Sequence, residues 1–286
     1  MKICLLGDTH FGVRSDSKEF SDFYRKFYTD VFFPYLKENN ITQVYQLGDL
    51  FDRRKYVNFF TLAECRDYFF DAAANAGIDL HVLIGNHDIF WRESLSINSP
   101  NLLLKDYSNI TLYQSPTKVT VGDKVIDIIP WICKENEAEV YEFINRTTSD
   151  YCLGHFEIAG FQMYKGIDCH AGISADLFRP YSLTISGHYH HRSRKGNVVY
   201  AGTPAEHTWA DFDDPRGFHI LDTETGILEF VQNPYTIFTM YYYDDAGEVD
   251  PLHEVMDQFA GKHVKLIVVN KTDFYKFDRF IERLYE

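Results

Sequence analysis

Five short apolar runs in this chain stop in the same way, at a glycine followed by an acid, an amide or a histidine. Residues 2–6 run into Gly7-Asp8-Thr9-His10, 42–47 into Gly48-Asp49-Leu50-Phe51-Asp52, and 80–84 into Gly85-Asn86-His87-Asp88. Further on, 151–153 meet Gly154-His155 and 183–186 meet Gly187-His188-Tyr189-His190. Apolar runs of this length, bounded by turn residues, read as buried strands. Between the first three, residues 18–38 and 59–76 carry helical spacing, with Phe20, Phe23, Tyr24, Phe27 and Val31 on one face and stops at Asn39-Asn40 and Gly77. Strand, helix and strand at this rhythm imply right-handed crossovers and a parallel sheet. The polar clusters then lie beyond the carboxyl ends of the strands, where open α/β sheets bind ligands.

The centre of the chain is richer in strands. Residues 110–113, 118–121 and 125–129 have strand character around a turn at Asp123, and 135–145 read as a helix. Residues 197–200, 217–221 and 228–231 are expected to complete a second sheet, making the fold an α/β sandwich of two sheets flanked by helices. Asn233 and Pro234 mark the expected boundary between a main domain, 1–233, and a small α/β cap, 234–286. In the cap, 237–243, 252–259, 264–269 and 274–285 alternate strand and helix. A length of 286 residues suits one large core with a small satellite, and 45% hydrophobic residues spread along it exclude disorder. No basic leader precedes an apolar stretch, and no apolar window is long enough to cross a bilayer. Cys4, Cys65, Cys133, Cys152 and Cys169 are scattered, with neither zinc-site spacing nor a disulfide framework.

At the strand ends, Asp8, His10, Asp49, Asn86, His155, His188 and His190 combine carboxylate, amide and imidazole donors without a thiol. That mixture suits a pair of divalent cations such as manganese, iron or zinc, and rejects copper(I) and iron–sulfur chemistry. Asp49, with two oxygens, is the natural bridge between them. Left as capped turns, the same residues would crowd like charges at one sheet edge with nothing to neutralise them.

In order and spacing, Asp8-x-His10, Gly48-Asp49-x-x-Asp52, Gly85-Asn86-His87-Asp88, Gly154-His155 and Gly187-His188-x-His190 resemble the five signatures of the calcineurin-like metallophosphoesterases. Ile129-Pro130-Trp131, Tyr164-Lys165-Gly166, Gly202-Thr203-Pro204, Asp214-Pro215-Arg216-Gly217-Phe218 and the small C-terminal cap resemble the SbcD-type DNA nucleases, and among them the recombination endonuclease subunits of tailed bacteriophages. The resemblance implies a metal-dependent phosphodiesterase acting on DNA, exo- and endonucleolytic, in recombination, repair or replication. It implies that Asp8, His10, Asp49 and His190 hold one ion and that Asp49, Asn86, His155 and His188 hold the other. His87 would contact the scissile phosphate and protonate the leaving oxygen. Asp52 and Asp88 are expected to orient ligands or to pair with basic side chains. Two divalent ions, Mn2+ ahead of Mg2+, Fe2+ or Zn2+, an SMC-like ATPase of SbcC type, a homodimer and a location in the cytoplasm, a host's if phage-encoded, complete the implied picture. A helical pattern still running at Glu286 adds the expectation of a further ATPase-docking segment. Some cellular relatives carry histidine where Asp52 stands, so their strand preferences are not carried over.

A formal net charge of −14 opposes DNA binding, which draws its affinity from neutralised phosphates. The basic residues are nevertheless placed beside the motifs: Arg53-Arg54-Lys55, Arg92, and Arg192, Arg194 and Lys195. Tyr56, Phe59, Phe60, Phe90, Trp91 and Tyr189 are interleaved with them, a mixture suited to holding a strand by charge and stacked bases. The plainer reading has solvent-facing charges, with Phe59 and Phe60 in the core; on either reading so acidic a protein should bind DNA weakly alone, which leaves a partner to supply much of the affinity. Fold and metals alone also admit a phosphomonoesterase, a phosphoprotein phosphatase or a non-catalytic DNA-binding subunit. His170 and His207 read as loop or surface histidines.

Overall fold

The computed structural model describes residues 1–286, which divide into two units, Met1–Pro234 and Tyr235–Glu286. In the first unit β1 (Lys2–Leu6), β2 (Gln43–Gln46), β3 (Asp79–Leu83) and β4 (Ile110–Tyr113) are parallel neighbours in that order. The chain continues through β5 (Thr117–Val121), β6 (Lys124–Ile129), β7 (Tyr151–His155) and a hairpin of β8 (Gln162–Tyr164) and β9 (Ile167–Asp168). After β10 (Leu183–Gly187), β11 (Ser193–Lys195) and β12 (Val198–Tyr200) come β13 (Gly217–Asp222) and β14 (Leu228–Gln232). The two sheets run β14-β13-β1-β2-β3-β4 and β11-β12-β10-β7-β6-β5.

The expected two-sheet sandwich is therefore present, with one reassignment. β13 and β14 join the first sheet and not the second, β13 pairing antiparallel with β1 from Lys2↔Asp222 to Leu5↔His219. Local alternation reveals that a strand exists but not which edge it will cover. β1 is buried along Ile3–Leu6, and an unpaired edge there would leave backbone N–H and C=O groups without partners.

Alternate residues of each strand face the space between the sheets. Ile3, Leu5, Leu47 and Leu83 from the first sheet meet Ile126, Ile128, Leu153 and Ile185 from the second, all fully buried. Outside the first sheet lie two long helical stretches. Lys18–Phe27, capped by Ser17, continues through a π-helical turn, Tyr28–Phe32, into Phe33–Glu38. Phe59–Cys65, capped by Asn58, continues through a second π-helical turn, Arg66–Asp71, into Ala72–Asn75. The second wide turn coincides with three consecutive buried rings, Tyr68, Phe69 and Phe70. Tyr28 and Phe69 join the two turns with ring centres 4.8 Å apart, and Phe32 rests edge-on against Phe218 of β13 at 5.0 Å.

In the second unit β15 (Phe238–Asp244) and β16 (His263–Asn270) pair in parallel, and a helix, Phe274–Tyr285, follows. The helix expected over 252–259 is instead two 3-10 turns, Pro251–His253 and Met256–Phe259. Glu254 and Val255 between them are extended, and eight residues bounded by Pro251 and Gly261 leave too few bonds to offset the cost of helix nucleation. No helix is long and apolar enough to cross a membrane.

Ile128 has no exposed surface and no polar partner, so Ile128→Ala should lower stability by about 2–5 kcal/mol. Urea unfolding should show an earlier midpoint with an unchanged slope.

Candidate metal centre

Because β1, β2 and β3 are parallel, the loops carrying Asp8, Asp49 and Asn86 leave the first sheet at the same end. In the second sheet β7 and β10 are parallel, with His155 opposite Gly187, which brings His155, His188 and His190 together. The two rims meet. His188 donates its backbone N–H to both oxygens of Asp8, at 3.0 Å. Nε2 of His155 lies 3.4 Å from Asp49 Oδ2 and donates to Asn86 Oδ1 at 2.9 Å, while Nδ1 of His188 reaches the same Asn86 oxygen at 2.8 Å. Nε2 of His10 is 3.1 Å from Nε2 of His190, 3.8 Å from Asp49 Oδ2 and 4.0 Å from Asp8 Oδ2.

The local backbone is shaped for this. His10, Asp49 and His188 have φ of 43°, 52° and 88°, the left-handed region that side chains with a Cβ rarely occupy. Such residues cost on the order of 1–3 kcal/mol each and persist where the surroundings hold them. Gly48 has φ 94° and lies so close to His155 that a Cβ would come within 2.5 Å of its Nδ1. At Gly85 a Cβ would come within 2.2 Å of the Asp49 backbone nitrogen.

Burial dominates the electrostatics. It raises Asp8 to about 7, with His155 pulling the other way and Asp49 adding to the rise. Asp49 is also buried, but the charges of His155, His87 and His10 and a bond from His155 outweigh burial and hold it well below the carboxylate range. His155, despite burial, is raised to about 9 by Asp49 and Asp8, and it donates its other ring proton to the Leu47 carbonyl at 2.7 Å. It is the cation of the metal-free site. Burial, with positive neighbours, lowers His188 to about 3 and His190 to about 4, and drives His10 well below the histidine range.

Two carboxylates, an amide oxygen and four imidazoles, mostly neutral, make a nitrogen and oxygen donor set of the kind divalent cations take. Nδ1 of His10 and Nδ1 of His190 are buried without hydrogen-bond partners. Asp8, His10 and Asp49 form one cluster of ligating atoms within 4.8 Å of one another, and Asp49, His155 and His188 a second. Asp49 belongs to both. The residues therefore fit a pair of divalent ions sharing that carboxylate.

His87 lies in the same place. Its backbone N–H donates to Asp49 Oδ1 at 2.7 Å, its Nδ1 to the Asp52 carbonyl at 2.6 Å, and its ring stands 4.9 Å from that of His10. It lines a cavity of about 350 Å³ with His10, Asp49, Asn86, His188 and Tyr164. Asp52 brings Oδ1 to 3.7 Å from His10 Nδ1. Asp88 pairs with no basic side chain: fully buried, it accepts from the backbone N–H of Gly85, Leu50 and Phe51 at 2.8, 2.9 and 3.3 Å, binding the second motif to the third.

The cavity is not lined by Arg53, Arg54, Lys55, Trp91, Arg92, Arg192, Arg194 or Lys195. Arg53 pairs with Asp16 at 3.1 Å, and Arg192 lies over the Phe230 ring. Trp91, Tyr56 and Phe59 are exposed, whereas Tyr189 is a core ring stacked on Tyr200. His207 lies in a loop, as expected, but not at the surface: it is 1% exposed and its ring centre is 5.4 Å from those of both His10 and His190. Its nearness to Gly202-Thr203-Pro204, just after the last motif, was the available signal. His170 is exposed. The Trp131 ring packs beside the ligand residues, 5.1 Å from His188 between ring centres.

The family model of the calcineurin-like phosphoesterases matches residues 1–192. Exonuclease subunit 1 of Enterobacteria phage T4 is 36% identical over 288 residues, spanning 99% of this chain and 82% of that protein. Among solved structures, a novel archaeal phosphodiesterase aligns with 81% of this chain and 99% of its own at 12% identity and a TM-score of 0.41. GAP50, the anchor in the inner membrane complex of Plasmodium, aligns with 82% of this chain and 90% of its own at 13% identity and a TM-score of 0.48.

The raised pKa of His155 has a pH signature. Between its unfolded value of 6.5 and its folded value of about 9 the native chain binds the extra proton, so this contribution is complete below 6.5 and lost as pH rises through 9. In a chelator, melting temperature should fall from pH 7 to 9. His155→Gln should flatten that slope, and saturating Mn2+ should also flatten it by replacing the proton as the counter-charge of Asp49.

Proposed function

The chain belongs to the calcineurin-like phosphoesterases, and on that premise we propose that it is a two-ion DNA nuclease of a recombination and repair complex containing an SMC-like ATPase. The observation that carries this is the meeting of Asp8, His10, Asp49, Asn86, His155, His188 and His190 from five loops at one buried rim. The similarity to a phage exonuclease subunit over nearly the whole chain supports a nucleic-acid strand as the substrate.

Bound divalent ions supply Lewis acidity to phosphoryl oxygens and lower the pKa of water. Asp8, His10, Asp49 and His190 would hold one ion and Asp49, Asn86, His155 and His188 the other, a nitrogen and oxygen donor set open to Mn2+, Mg2+, Fe2+ or Zn2+, of which the sequence resemblance favours Mn2+. Asn86 orients His155 and His188 through one carbonyl oxygen, and the Leu47 carbonyl fixes the His155 ring. His87 is the proton donor. With Nδ1–H given to the Asp52 carbonyl, Nε2 is the nitrogen left to deliver a proton to the leaving oxygen when the ring is an imidazolium.

Exposed Trp91 and Tyr56 and the solvent-facing Lys55, Arg92, Arg192, Arg194 and Lys195 support a strand-holding surface around the centre. Arg53 and Arg54, partly exposed, extend it. A protein of net charge −14 needs more than these, which supports an ATPase partner and a second copy of the chain as contributors to affinity. Residues 1–233 are then the nuclease domain and 234–286 a cap that shapes substrate selection.

With Mn2+ the protein should cleave linear DNA and hydrolyse bis-para-nitrophenyl phosphate in preference to para-nitrophenyl phosphate. Hydrolysis of the monoester alone would identify a phosphomonoesterase instead. His87→Gln should keep both ions in calorimetric titration while DNA turnover drops by about 10² to 10⁴. Loss of an ion in that variant would make His87 a ligand or an essential support and leave the leaving-group proton without a donor.

A further inference from the structure

The loop that carries His207 is built around a buried ion pair. Asp211 has no exposed surface, and its carboxylate accepts from the backbone N–H groups of His207 and Thr208, at 2.7 and 2.9 Å, and from Arg216 at 3.0 Å. Arg216, also buried, pairs with Asp214 at 2.7 Å and donates to Thr203 Oγ1 at 2.9 Å and to the His190 carbonyl. One guanidinium thus binds the His207 loop to the backbone of a proposed ligand.

What this holds in place is an imidazole with nothing to bond. Both ring nitrogens of His207 are buried without a hydrogen-bond partner, as are Nδ1 of His10 and Nδ1 of His190. A ring nitrogen of each of the three lies within 4.8 Å of those of the other two. The His207 ring stands nearly perpendicular to the other two, at 84° and 81°. Buried polar groups in native proteins are almost always paired. An imidazole with both nitrogens unpaired, one of them within reach of ring nitrogens of two other histidines, is what a ligand with no protons to give, a cation, would satisfy.

We infer that His207 is a further nitrogen ligand of the ion held by His10 and His190. This rests on the two-ion reading above. One half of the centre would then carry three imidazoles and the other two, so the two ions would differ in preference, the His207 half favouring Zn2+ or Fe2+ over Mg2+ more strongly.

Long-range 1H–15N spectra of the histidine rings, recorded on the full chain with and without two equivalents of Zn2+, test this directly. His207 signals are assigned by their loss in His207→Phe, or in His207→Gln if the first variant does not fold. A His207 ring nitrogen moving to the metal-bound shift, together with those of His10 and His190, supports the inference. His10 and His190 moving while both His207 nitrogens keep their metal-free shifts would overturn it and leave the two-ion reading intact. No movement at His10, His190, His155 and His188 would overturn both. In calorimetric titration His207→Phe should weaken one of the two sites by about tenfold or more and spare the other, and two unchanged sites would count against ligation.

Discussion

Asp8 and Asp49 are buried at the ends of adjacent parallel strands, and the rest of the rim answers to that proximity. In a low-dielectric pocket two carboxylates cannot both stay ionised without a counter-charge, and the metal-free chain resolves this by a raised Asp8 and a protonated His155. Around them the backbone is fixed by groups that do not themselves face the cavity. Asp88 gathers three backbone N–H groups, Gly48 and Gly85 leave room where a Cβ would collide, and His10, Asp49 and His188 are held at positive φ. A phosphoesterase that binds divalent cations has a reason to maintain such a rim.

Much of this was legible because the information is local. An apolar run, a glycine and a ligand-type side chain occupy ten residues or fewer, and parallel strands oblige their carboxyl ends to meet. The two-sheet sandwich follows from the same alternation. What escaped was whatever depends on distant pairing. β13 and β14 were read as strands but assigned to the wrong sheet, because Phe218 and Ile220 look equally apolar against either. The segment 252–259 has a helix-compatible composition, yet Pro251 and Gly261 bound it closely and extended Glu254 and Val255 divide it into 3-10 turns. His207 was missed because no flanking periodicity marks it; only the buried pairing of Asp211 with Arg216 brings its loop inward.

The negative charge of the whole chain is less of an obstacle than its size suggests. At physiological ionic strength charges more than about 8 Å apart are largely screened, so a phosphate at the rim senses its immediate neighbours and not the total. The acidic residues are widely distributed along the chain. Near the motifs, Arg54 and Lys55 share a shallow groove with Tyr56, Phe59 and Leu102, a mixed basic and apolar surface.

The antiparallel pairing of β1 with β13 also sets an order of events as the protein is made. Within the first unit β1 is made before its partners and finds β2 some forty residues later, but its other edge waits for residues 219–222, near the end of that unit. Until then the nascent chain carries a half-covered apolar strand, an edge open to mispairing of the kind that cells manage with chaperones. Assembly of the rim is tied to the same late step, because Arg216, which donates to the His190 carbonyl, directly precedes the strand that closes that edge. The nuclease proposed here would remain inert until that edge closes.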